Sequence, residues 1–161
     1  VSNFNVPKLQ SLVDVATHTP EMNQIELHPY LQQPEMLDAA ASAGVPLTAY
    51  SPLGSKDRPD RMKADDEPIL LDDPTVAAIA ERHEATPAQV LISWAIHRGT
   101  AVIPKSVTPH RIEENLAAAE VALTEADMDA IAGLDRGRRY VDGSFWAMDG
   151  SPYTMAGLWT E

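Results

Sequence analysis

The sequence predicts an α/β fold built on a parallel sheet, and three observations support this. Short apolar runs alternate with longer stretches of helical period, which is the grammar of repeated βα units. The runs are apolar almost throughout, as strands covered on both faces require. Proline and glycine stand where helices should begin and end, and their backbone restrictions make that punctuation meaningful.

Asn5 is placed to cap a helix over about 6–17, with Pro7 tolerated in the first turn. "MNQIEL" (22–27) is a first strand, closed by His28-Pro29. Pro34 opens a helix over 34–44, and Gly44 supplies its left-handed C-cap. "VPLTAY" (45–50) is the next strand, and a polar loop over 51–73 follows it. A loop of that length inside a compact domain signals function or mobility. Asp73-Pro74 and Thr86-Pro87 each begin a helix, over 74–84 and 87–99, by pairing a capping residue with proline at the first helical position. "TAVIP" (100–104) is the third strand, and Thr108-Pro109 opens a helix over 109–120. The Thr124-x-x-Asp127 pattern of a capping box marks the last clear helix, over 123–135. From Arg136 onward the sequence reads as an irregular tail with several aromatics.

Composition narrows the function. The 161 residues suffice for one domain, and 44% hydrophobic with 22% charged residues describes a soluble, globular chain. No apolar run approaches the ~20 residues of a membrane helix. No cysteine is present, which excludes disulfides, thiolate metal sites and thiol catalysis. The five histidines form no His-x-x-x-His pair, so no metal site is expected. A formal charge of -12 argues against a nucleic-acid partner, which would need a basic stripe. An acid-rich, lysine-poor surface suits a high-salt cytoplasm or a generic solubility bias equally well. Nothing resembles a signal peptide, and a cytoplasmic location is expected.

Against that acidic background, "AVIPKSVTPHRIEEN" (101–115) stands out. Lys105 and Ser106 precede a helix N-terminus, whose unpaired N–H groups favour an anion, and Arg111 follows about one turn in. Taken alone, these residues read either as a phosphate site or as a solvated helix face. The other strand ends collect Ser2, Asn3, Gln24, Tyr50, Ser51, Leu53 and Ser55, at the positions where α/β folds bind ligands. Tyr50 is either a core aromatic with a wet hydroxyl or a platform for a flat heterocycle. Gln24, inside an apolar strand, needs hydrogen-bond partners from a loop or a ligand.

"VSNFN", "NQIELHPY", "LTAYSPLGS" and "IPKSVTPHRIEEN", in this order and spacing, resemble the second half of an aldo-keto reductase, as does "LTEADMDAIAGLD". The resemblance implies the C-terminal half of a (β/α)8 TIM barrel, from the end of strand 5 through strands 6–8 and their helices. Residues 1–135 would belong to the barrel and 136–161 to a C-terminal substrate-loop tail. The implied cofactor is NADPH or NADP+. Ser2, Asn3 and Gln24 would hold the nicotinamide carboxamide, and Tyr50 would stack on its ring. Ser51, Leu53 and Ser55 would line the pyrophosphate. Lys105, Ser106, Val107 and Thr108 would surround the 2′-phosphate, with Arg111, Glu114 and Asn115 at the adenine. Phe145, Trp146 and Trp159 are candidates for the wall of a carbonyl-substrate pocket, or cover the outside of the barrel or a dimer partner.

The family's catalytic tyrosine, lysine, aspartate and histidine have no counterparts here. The expectation is therefore the cofactor half of an NADPH-dependent carbonyl reductase. A non-catalytic nucleotide-binding half barrel or redox-sensing subunit is one alternative, and a phosphate-binding barrel isomerase or aldolase is another. With unpaired sheet edges, the isolated chain should be unstable or oligomeric.

Overall fold

The computed structural model describes residues 1–159. Its elements run in chain order as α1 (Val6–Val13), β1 (Asn23–Glu26), α2 (Pro34–Ala43), β2 (Leu47–Tyr50), α3 (Pro74–Arg82), α4 (Pro87–His97), β3 (Ala101–Val102), α5 (Pro109–Ala117), α6 (Glu125–Ala132) and α7 (Met155–Trp159). The three strands form one parallel sheet in the order β1-β2-β3. Glu26 pairs with Tyr50 and Ala49 with Val102. Ser2 extends the sheet through an isolated parallel bridge to Gln24, sealed by Asn3 N donating to Gln24 O at 2.8 Å.

The predicted punctuation holds in detail. Asn5 accepts from Lys8 N, Asp73 accepts from Thr75 N and Val76 N, and Thr86 and Thr124 each close a capping box. Gly44 ends α2 with φ of 65°, a conformation glycine adopts without penalty.

Several boundaries are tighter than the sequence pattern predicts. The first helix stops at Val13, because β-branched Val15 and Thr17 precede Pro20 and no apolar face continues. The helix from Pro74 stops at Arg82, before Glu84 turns left-handed at φ 50°. β3 keeps only two residues, since Pro104 has no N–H to give the ladder. The tail has more order than expected, with a 3-10 turn over Ser144–Trp146 and the short α7.

α4 is the most deeply buried helix, with Val90, Leu91, Trp94 and Ala95 in the core beside Ile25, Leu47 and Ala49 of the sheet. Tyr140, in the tail, is 3% exposed and belongs to the same core. The side of β3 is different. Ile103, Val107, Ile112 and Leu116 are all exposed there, and α5 buries no residue.

Candidate functional site

Two cavities open at the carboxyl ends of the strands, and Tyr50 lines both. The first, of about 730 Å³, gathers Ser51, Leu53, Ser55, Lys105, Ser106, Val107, Thr108, Arg111, Glu114 and Asn115 from the β2 loop and the start of α5. The second, of about 700 Å³, joins Ser2, Asn3 and Gln24 to Phe145, Trp146 and Trp159 of the tail. Every candidate site residue named from the sequence therefore lines one of these two cavities.

Backbone strain concentrates there. Among the described residues, five that are not glycine have positive φ, and three of them are Asn3, Ser51 and Ser55. Such conformations persist only where the surroundings impose them, and they cluster at binding sites. Gly54 separates the two serines at φ 82°, and a Cβ there would lie 2.9 Å from the Leu70 Cβ. No other residue fits that turn without moving the core.

The start of α5 keeps its polar groups available. Thr108 occupies the N-cap position without a side-chain capping bond. Ser106 Oγ instead accepts from Thr108 N at 3.2 Å. Arg111 is exposed, and Lys105 forms a 3.0 Å ion pair with Asp57 across the cavity mouth. That contact, through a hydrogen bond from Lys105, holds the Asp57 carboxyl below the usual carboxylate range. A lysine, two hydroxyls and an arginine around a helix N-terminus form a donor set that fits a phosphate monoester.

Tyr50 is half-buried at the end of β2. Burial first, and then the Glu26 carboxylate, push its phenol up to about 12, against opposing contributions from Arg139 and Asn3. The ring therefore stays neutral across the physiological range. A flat, uncharged face between two cavities suits an aromatic ligand that reaches into both.

The long loop over 51–73 is held from beneath by a residue the sequence reading passed over. Arg58 is buried and donates to Gly54 O, Ser55 O and Met62 O, and to both carboxylate oxygens of Glu67 at 2.6 and 2.7 Å. Its guanidinium also lies 5.1 Å from the centre of the Tyr140 ring. The loop is long, and this arginine anchors it at both ends of the 54–67 stretch.

Glu26 was missed as well. It is fully buried and accepts from Tyr140 N at 2.6 Å and Val141 N at 3.0 Å, with His28 Nε2 at 2.9 Å. One available signal was a carboxylate between Ile25 and Leu27 in an otherwise apolar strand, because such a group is buried only when satisfied. Among the described residues no group of acidic and histidine side chains is arranged to hold a metal ion, and no helix is long and apolar enough to cross a membrane.

Fold and cavities together define an α/β protein with two adjoining cavities at the carboxyl ends of parallel strands, one lined by Lys105, Ser106, Thr108 and Arg111 and both by Tyr50. Residues 1–136 match the Aldo/keto reductase family, and the chain belongs to that family. It is 53% identical over its whole length to an aldo/keto reductase of Synechocystis sp., covering 49% of that protein. It is 45% identical over 141 residues to aldo-keto reductase family 1 member A1-A of Danio rerio, covering 88% of this chain and 43% of the relative. A crystal structure of MGS-M4, an aldo-keto reductase enzyme from a Medee basin deep-sea metagenome library, superposes with a TM-score of 0.77 at 38% identity, over 86% of this chain and 48% of that one. The chain thus spans about half the length of the relatives it matches.

Proposed function

We propose that this chain is the cofactor-binding, C-terminal half of a (β/α)8 barrel whose full-length protein is an NADP(H)-dependent reductase of aldehydes or ketones. The observation that carries this reading is the placement of Tyr50 as the shared wall of two cavities, one rich in anion donors and the other joined to the aromatic tail. A dinucleotide bound in extended form needs that arrangement, with a charged end, a stacking platform and a substrate space beyond it.

Lys105, Ser106 and Thr108 hold the 2′-phosphate, with Val107 beside them, while Arg111, Glu114 and Asn115 receive the adenine end. Ser51, Leu53 and Ser55 line the pyrophosphate, helped by the left-handed backbone at both serines. Ser2, Asn3 and Gln24 orient the carboxamide, and Tyr50 fixes which face of the ring points toward substrate. The bound nicotinamide supplies hydride. Phe145, Trp146 and Trp159 exclude water from the carbonyl. The proton donor and its tuning residues come from the part of the parent that precedes this chain, as the relatives' double length supports. The exposed Ile103, Val107, Ile112 and Leu116 beside β3 fit the same reading, because closing the barrel would cover an apolar face.

The test is Lys105→Met in the full-length protein. NADPH affinity should fall by about 2 kcal/mol, roughly thirty-fold in Kd, with NADH affinity almost unchanged. Equal losses for both cofactors would refute the 2′-phosphate role.

A further inference from the structure

Arg139 lies where three parts of the molecule meet. Its Nη1 is 3.9 Å from Glu26 Oε2, and Glu26 lies opposite Tyr50 in the β1–β2 register. Its Cζ is 3.8 Å from the centre of the Trp159 ring. Arg139 thus stands between Trp159 and the strand pair that carries Tyr50. Trp159 is fixed in turn, since its indole N–H donates to Asp142 O and its carbonyl accepts from Asn5 Nδ2 at 3.0 Å.

We propose that Arg139 is a positioning residue that locks the Trp159 end of the tail to the Tyr50 platform, so that seating of the nicotinamide and closure of the aromatic tail occur as one event. This rests on the cofactor reading above. A planar guanidinium serves both neighbours at once, with its edge toward a carboxylate and its face on an indole. The Glu26 carboxylate, itself fixed by Tyr140 N and Val141 N, gives the guanidinium a charge partner of fixed position. Tyr50 and Trp159 lie on the wall of one cavity. A shift of the Trp159 end therefore reaches the strand pair of Tyr50 through Arg139 and Glu26, although Tyr50 and Trp159 are over a hundred residues apart in the chain.

The test compares two ligands on the full-length protein. One is NADPH. The other is adenosine 2′,5′-bisphosphate, which carries the charged end and no nicotinamide. Arg139→Met should weaken NADPH about tenfold and leave the bisphosphate within about twofold. Trp159→Leu should act in the same direction, and the double variant should be no weaker than Arg139→Met alone, because both remove one shared contact. Arg139→Lys keeps the charge without the plane, and should fall between wild type and Arg139→Met.

Equal weakening of both ligands, unchanged NADPH affinity, or additive losses in the double variant would each overturn the proposal. If Arg139→Met does not fold, Trp159→Leu decides: a selective loss of NADPH supports the coupling and an unchanged affinity refutes it. A wild-type protein that binds neither ligand refutes the cofactor reading itself, and this proposal with it. A wild type that binds both, with variants that do not discriminate, refutes the coupling alone.

Discussion

The two ends of the site hold charge in opposite ways. At the start of α5, Lys105 and Asp57 form an ion pair with both side chains about 70% exposed, and Arg111 is open to solvent. At the end of β1, Glu26 is fully buried, with backbone N–H groups and His28 on its carboxylate. The first arrangement adds little to stability and leaves its charge available to a ligand. The second arrangement gives nothing to solvent and ties the tail to the sheet. An exposed charge can serve binding because water has already screened and solvated it. A buried one must be satisfied by the protein before any ligand arrives.

That contrast can be tested at both of its ends and at a further buried carboxylate, Asp127 of α6. The largest effect is expected for Glu26→Gln in the full-length protein. An amide NH2 would replace one acceptor oxygen and face a donor, so unfolding free energy should fall by about 3 kcal/mol in urea titration. A change below about 0.5 kcal/mol would mean that the tail docks without the carboxylate.

Asp127→Asn should come next, at about 2 kcal/mol. Burial would push the Asp127 carboxyl up, but hydrogen bonds from Thr124, Arg82 and His83 outweigh it and hold the group well below the carboxylate range. Because the folded value is depressed, the stabilisation is fully present above the unfolded value near 4 and is lost as pH falls through the acid range. The variant should therefore lose stability at pH 7 and show a flatter acid limb. A variant with the wild-type acid slope would refute this assignment.

The smallest effect is expected for Asp57→Asn. Removing an exposed pair should change stability by less than about 0.5 kcal/mol, and the change should shrink further in high salt. A loss above about 1 kcal/mol would show that this pair is held more rigidly than its exposure implies.

The charged end was legible in the sequence because its parts are neighbours. Lys105, Ser106, Thr108 and Arg111 lie within one strand-to-helix turn, so spacing alone brings them together. The helix starts were legible for the same reason, since a cap and its N–H partners lie within three residues. Helix ends were less so, because they depend on where packing stops rewarding another turn, as at Val13. The tail was the least legible. Tyr140 meets Glu26 across 114 positions and Pro68 across 72, and no local pattern encodes either contact.

By itself, then, the sequence determined the βα order, the caps and the clustering of Lys105, Ser106, Thr108 and Arg111 at the start of α5, all of which follow from interactions over a few residues. Only the tertiary structure decided that Arg58 carries the long loop, that Glu26 docks the tail, and that Arg139 spans from Glu26 to Trp159. These are buried charges and stacked rings, whose worth depends on partners brought close by the folded chain.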